Sequence, residues 1–379
     1  MRILHVINRC GIANGAAKLL LDVVSYQLDC GNEIDIVSLV DTTPSYEEQF
    51  RAIGCQYTSI MPCGYNMKDP ILLIRLGIIM RNYDIVHAHL FPSFYWVALA
   101  KVIYRLKCKL IVTEHATENN RRRLWLRPLE RYIYNQYNGI IAISIAVKKN
   151  LLHHLHSNYN VSVIENGINI QKYSDAEPMS RQDIGIPYDD AIILTQVAGF
   201  RSEKDQITVL KALSQLPNKY HIMFVGDGRL LQQHINVAKE LNIFSRCHFL
   251  GARSDVPSLL KISDIIIQSS HFEGFGLAAV EGMASKKPVI AANVPGLSEV
   301  VMGAGLLFEQ GDVRGLVQNI QSLSNNPRFY NDIADRCYNR ALLYDISITA
   351  EKYVADGNYF WRRRKKSVWQ NVFRRILIP

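Results

Sequence analysis

Short runs of β-branched and aliphatic residues alternate along this chain with longer stretches whose apolar positions recur every three or four residues. In the first half the pattern predicts strands at 3–7, 33–39, 85–88, 110–113 and 139–143, with helices over 16–28 and 94–106. Strands separated by helices of ten or more residues need crossover connections, so this half is expected to be a doubly wound α/β domain with a parallel sheet. A polar stretch over 169–190, holding Pro178, Gly185 and Pro187, interrupts the alternation and reads as a linker. The alternation then resumes with strands at 192–197, 221–225, 248–250, 265–268 and 288–291. Two Rossmann-like domains, residues 1–175 and 176–351, are therefore expected to face each other across a cleft, followed by a helix over 352–379. In such sheets ligands sit beyond the carboxyl ends of the strands, so residues just after strands are the ones to inspect.

Composition narrows the picture. With 379 residues, 48% hydrophobic and 20% charged, the chain is of globular type, and a disordered or coiled-coil protein is excluded. The formal charge of +9 is concentrated at one end: Arg362, Arg363, Arg364, Lys365, Lys366, Arg374 and Arg375 leave residues 1–360 at about +2. A body so close to neutral does not provide the spread of cations that nucleic acid requires. On a helical wheel Val368, Trp369, Val372, Phe373, Ile376 and Leu377 fall on one side of the tail, opposite Gln370, Asn371, Arg374 and Arg375. That stripe suits an anionic membrane surface through 361–379, or packing back onto the first domain. Seven cysteines without a C-x-x-C pair point to reduced thiols and a cytoplasmic protein. No run reaches spanning length and the start does not resemble a signal peptide, so a peripheral location on the inner face of the plasma membrane is expected.

The most informative segment is 269–284. It leaves a strand and enters a helix through Gly274, Phe275, Gly276 and Leu277, so free backbone N–H groups would meet an anionic phosphate there. Glu273 and Glu281, eight apart, could reach hydroxyls on either side of a diphosphate. After the first strand of the second domain, Arg201 and Lys204 are the cations placed to stabilise a departing diphosphate. Three histidines, His87, His89 and His115, stand at or just beyond strand ends in the first domain. The segment 119–127 mixes Arg121, Arg122, Arg123 and Arg127 with Leu124, Trp125 and Leu126. It suits an amphiphilic phosphorylated acceptor, a membrane surface or a solvated basic loop.

Taken together, Glu273 and Glu281 around Gly-Phe-Gly-Leu, then Pro288-Val289-Ile290-Ala291 and Pro295-Gly296-Leu297-Ser298-Glu299, resemble the E-x7-E region of the retaining GT-B glycosyltransferases of family four. The resemblance extends over most of the chain. It implies that Glu281 binds the donor ribose, that Glu273 binds hydroxyls of the donor sugar, and that Gly274 to Leu277 hold the diphosphate. It places Gly226 and Arg253 near the base, Asn14 and Gly15 opposite the donor phosphate, His115 near the sugar and β-phosphate, and His89 on the acceptor side with Arg121, Arg122 and Arg123. Lys204 and Arg201 would serve the leaving group. The common family form carries its arginine five residues before the lysine, where this chain has Gly199, so Arg201 takes that role.

The resemblance further implies a retaining transfer from a nucleotide-diphosphate sugar, a UDP-sugar favoured over a GDP-sugar, to a lipid-linked or oligosaccharide acceptor in surface polysaccharide biosynthesis. No Asp-x-Asp triplet occurs, so neither metal nor cofactor is expected. An epimerase or hydrolase on the same scaffold, and a degenerate binding protein, are the alternatives.

Overall fold

The structure, a computed structural model, describes residues 1–12, 14–116, 123–186 and 190–361, with 354–361 described by backbone alone. Seven parallel strands build the first sheet: β1 (Arg2–Ile7), β2 (Glu33–Val40), β3 (Gln56–Met61), β4 (Ile85–His89), β5 (Lys109–Glu114), β6 (Gly139–Ala142) and β7 (Val161–Val163). Their order is β3-β2-β1-β4-β5-β6-β7. Six more form the second: β8 (Ile192–Val197), β9 (Tyr220–Val225), β10 (Cys247–Phe249), β11 (Ile265–Gln268), β12 (Val289–Ala292) and β13 (Leu306–Phe308). Here the order is β10-β9-β8-β11-β12-β13, again parallel throughout.

Both sheets reverse winding direction once, between β1 and β4 in the first and between β8 and β11 in the second. At such a switch point the two flanking loops diverge to opposite faces and leave a crevice. Asn14, Lys204 and Glu273 lie in the loops after β1, β8 and β11, and His89 is the last residue of β4, so topology brings the candidate residues to two facing crevices.

Five helices position the site: α1 (Gly15–Asp29), α2 (Ile170–Ser174), α3 (Gln206–Ser214), α4 (Leu277–Ala284) and α5 (Ile346–Trp361). Period-two alternation puts Ile3, Ile7, Ile36, Ile85, Ile111 and Ile141 on one face of the first sheet, where they pack against Leu19, Leu20, Val23 and Val24 of α1. Burying side chains of this kind stabilises by about 1.5–3 kcal/mol each. Helix α5 crosses from the second domain to the first, with its Ile346 and Tyr353 buried in that same core. The tail stripe from Val368 to Leu377 lies outside the described residues.

Two expectations are corrected. The stretch 169–190 is not a plain linker: Asn169 caps α2 by accepting from the Lys172 N–H at 3.0 Å, and Tyr173 is buried. Strands β3, β7 and β13 also escaped the pattern. All three are sheet edges, and β7 and β13 are only three residues long, too short for alternation to register.

Candidate functional site

The floor of the site is the loop from β11 to α4. Gly276, at φ 98°, ends the loop as the helix cap, a backbone state that favours glycine, and a Cβ there would lie 2.7 Å from Leu297 Cδ1. No acid occupies the first turn of α4, and the N–H groups of Leu277 and Ala278 find no backbone partner among the described residues. That helix end therefore favours an anion. Phe275 is buried edge-on against Tyr344, with ring centroids 5.2 Å apart, so only its backbone belongs to the site. Gly274 marks where the domains touch: a Cβ there would sit 2.3 Å from the His115 carbonyl oxygen.

Facing this loop is the start of α1. Asn14 caps α1 by accepting from the Ala16 N–H at 3.1 Å and donates through Nδ2 to the Arg9 carbonyl at 2.8 Å, so its side chain is occupied in shaping the loop. Leu277 Cδ1 lies 3.6 Å from where a Gly15 Cβ would be. The N-termini of α1 and α4 thus converge from opposite domains, and the first turn of α1 also lacks acids.

The cations come from the loop between β8 and α3. Asp205 N–H donates to the Ser269 carbonyl at 3.1 Å and His271 N–H to the Glu203 carbonyl at 2.8 Å, lacing this loop to the one after β11. That lacing holds the Lys204 ammonium in an ion pair with Glu273. Arg201 is exposed, and its Nε lies 3.3 Å from the position a Gly199 Cβ would take. Its guanidinium therefore fills the space where a side chain on residue 199 would begin.

Glu281 is buried at 6% exposure and receives the Lys18 ammonium of α1 at 2.5 Å; Lys18 also donates to the Tyr173 hydroxyl at 2.5 Å. Burial works against the Lys18 charge, yet Glu281 outweighs it and holds the lysine above its usual pKa. Sequence reasoning missed Lys18. The available signal was Lys18 and Asp22, one turn apart, interrupting the apolar first half of the helix.

The remaining candidates divide. Gly226 N–H donates to the Gly251 carbonyl at 2.8 Å, tying the ends of β9 and β10 together. Arg253 forms a two-pronged pair with Asp255, at 2.8 and 2.5 Å, and is engaged there instead of with the glutamates. His115 is half-buried at the end of β5, and burial lowers its pKa to about 4, so it is neutral at pH 7. His89 is 4% exposed, beneath His115, so it reaches the cleft only through that residue. Arg123 is exposed next to Leu124 and Trp125, themselves 74% and 71% exposed; Arg121 and Arg122 lie outside the described residues.

Among the described residues one trio, His5, His87 and His89, has ring nitrogens close enough to share a metal ion. Both nitrogens of His5 and of His89, and Nε2 of His87, already lie within hydrogen-bonding distance of neighbours, so an ion would have to displace those contacts. No helix among the described residues is long and apolar enough to cross a membrane.

Two family descriptions match in chain order: Glycosyltransferase Family 4 over residues 13–172 and Glycosyl transferases group 1 over 178–340. An O-antigen biosynthesis glycosyltransferase, WclY of Escherichia coli, is 25% identical over 94% of this chain and 99% of its own. The UDP-Gal:α-D-GlcNAc-diphosphoundecaprenol α-1,3-galactosyltransferase of the same species is 25% identical over 73% of this chain and 74% of its own. Among solved structures, Anabaena HepE in complex with UDP-glucose superposes with a TM-score of 0.83 at 21% identity, over 95% of this chain and all of that one. With both halves matched in order and the two-sheet architecture shared, this chain belongs to the GT-B glycosyltransferases of family four and is a transferase.

Proposed function

We propose that this glycosyltransferase moves a sugar, with retention, from a nucleotide-diphosphate donor to a hydroxyl of a lipid-linked saccharide in surface polysaccharide biosynthesis, using protein cations in place of a metal. The observation that carries this reading is the meeting of two helix N-termini with Lys204 and Arg201, flanked by Glu273 and Glu281. Negative charge grows on the diphosphate as the glycosidic bond breaks, and fixed donors and cations stabilise it without reorganising. Glu273 and Glu281 then bind hydroxyls of the sugar and ribose. The leaving phosphate takes the acceptor proton on the face it departs from.

Two relatives support the choice of substrates, one named for a UDP-sugar donor and a diphosphoundecaprenol acceptor and the other for O-antigen synthesis. Exposed Leu124 and Trp125 between Arg123 and Arg127 suit the lipid and phosphate of such an acceptor. The tail over 361–379 would hold the enzyme at the inner membrane face.

Thermal unfolding with UDP, GDP and ADP, each with and without EDTA, tests the donor site. A nucleotide at 100 times its Kd stabilises by about 2.7 kcal/mol. UDP alone raising the midpoint, unchanged by EDTA, is the expected result. A rise abolished by EDTA overturns the metal-free site, and no rise with any nucleotide overturns the donor reading.

A further inference from the structure

Five polar residues share the first-sheet face covered by α1 and α5: His5 on β1, His87 and His89 on β4, Thr113 on β5 and His115 just beyond it. All are odd-numbered, so the strand alternation that buries Ile3, Ile85 and Ile111 also buries His5, His87, His89 and Thr113, with His115 half-buried at the end of the row. The void among His5, His87, His89, His115, Leu20 and Tyr353 measures about 10 Å³, room for about one water and not for a sugar. The row is therefore not itself a ligand pocket, and its order has to be read through its hydrogen bonds.

Those bonds run in one direction. His5 Nε2 lies 3.0 Å from Gln27 Oε1 of α1, and an amide oxygen only accepts, so this nitrogen carries the hydrogen. Burial holds His5, His89 and His115 neutral, which leaves each ring one N–H and one lone pair. His5 Nδ1 is then bare and accepts from His89 Nε2 at 3.0 Å. His89 Nδ1 is bare in turn and accepts from His115 Nε2 at 3.5 Å. The chain ends on His115 Nδ1, a lone pair with no partner among the described residues, on a residue whose carbonyl abuts the Gly274 loop. Beside this chain, His87 is bonded to Thr113 at 2.8 Å and its ring packs against that of His89, centroids 4.1 Å apart and tilted by 32°, holding that ring in place.

We propose that Gln27, His5 and His89 are positioning residues that set the tautomer of His115, making its Nδ1 an acceptor for a sugar hydroxyl in the cleft and not a donor to phosphate. This rests on the donor site proposed above for its ligand, while the tautomer itself is a property of the resting protein. A neutral ring able to present either nitrogen would spend part of its population in the wrong form, and a fixed tautomer removes that loss.

The test is a long-range proton–nitrogen NMR spectrum of the histidine rings in the unliganded protein, assigned with single histidine variants. The expected pattern has Nε2 protonated and Nδ1 bare in His5, His89 and His115. Protonated Nδ1 in His115 overturns the proposal, and this measurement stands whether or not transfer activity is found. In Gln27→Met the acceptor is gone, so the His115 ring signals should shift toward a mixture of tautomers. With them kcat for sugar transfer should fall about tenfold while the donor KM changes less than about twofold. Unshifted His115 signals in that variant overturn the relay. Should Gln27→Met not fold, the spectrum of the unaltered protein decides alone. The expected tautomers in a protein that transfers from no nucleotide sugar would retain the relay and remove the proposed donor reading.

Discussion

Lys18 in α1 and Glu281 in α4 meet at 2.5 Å across the cleft, joining the first domain to the carboxylate assigned to the donor ribose. Tyr173 of α2 shares the lysine, so three parts of the chain converge on one buried charge pair. An ion pair spanning two domains ties the orientation of Glu281 to the closeness of the domains. Tyr173 is hydrogen-bonded to Glu281 as well, so in the proposed donor site the ribose hydroxyls would share this carboxylate with Lys18 and Tyr173.

Lys18→Met should therefore weaken nucleotide binding about tenfold, equivalent to one lost charge-assisted hydrogen bond. In a double-mutant cycle with Glu281→Gln, measured by calorimetric nucleotide binding, the two residues should show a coupling energy of at least about 1 kcal/mol. Additive losses would mean that the pair does not organise the site.

Lys204 and Glu281 should fail in different ways. Lys204→Ala removes the cation proposed to meet the leaving group and should lower kcat about 100-fold or more, with little change in nucleotide affinity. Glu281→Ala should raise the nucleotide Kd and leave kcat at saturation closer to the unaltered value. Steady-state kinetics beside direct binding separates the two. Equal, small effects from both would remove the assignments.

The relation between Arg201 and Gly199 makes a relocation experiment possible. Because the Arg201 guanidinium sits where a side chain on residue 199 would start, Gly199→Arg in the unaltered chain should crowd it and reduce turnover. Arg201→Ala should lower kcat about tenfold or more, and adding Gly199→Arg to that variant should restore part of the loss. Absence of any rescue would show that the position of Arg201, and not just a cation in this space, is what transfer requires.

What could be read in advance follows from the range of the forces involved. Glu273, Gly274 and Gly276 were legible because strand, glycine turn and helix start are neighbours in sequence, and a helix end attracts anions whatever surrounds it. The twin sheets were legible because buried parallel strands need apolar runs. Lys18 was not, since its partner Glu281 lies 263 residues away and only domain closure brings them together. Tyr173 was hidden in a polar stretch whose composition says linker, although one aromatic side chain is enough to dock it. The histidine row shows both cases: alternation places His5, His87 and His89 on one face, whereas the direction of their hydrogen bonds depends on Gln27 from a separate helix.

The same row should set the acid limit of stability. His5 titrates at about 4 in the folded chain, lowered by burial against the pull of Gln27, and near 6.5 when unfolded. Between those values the unfolded state binds more protons, so stability falls as pH drops from 6.5 to 4 and His5 contributes nothing above 6.5. The loss from His5 alone approaches about 3 kcal/mol at the lower end. Glu130 acts with the opposite sign: burial raises its carboxyl to about 8, so the unfolded state ionises first and stability falls as pH rises from about 4.5 to 8. Urea unfolding at pH 4.5, 6 and 8 should therefore show a maximum near the middle value. His5→Gln should reduce the acid slope, the part due to His87, His89 and His115 remaining, and Glu130→Gln should flatten the alkaline side, each leaving the other slope in place. An acid slope unchanged in His5→Gln would mean that the buried ring is not what resists protonation.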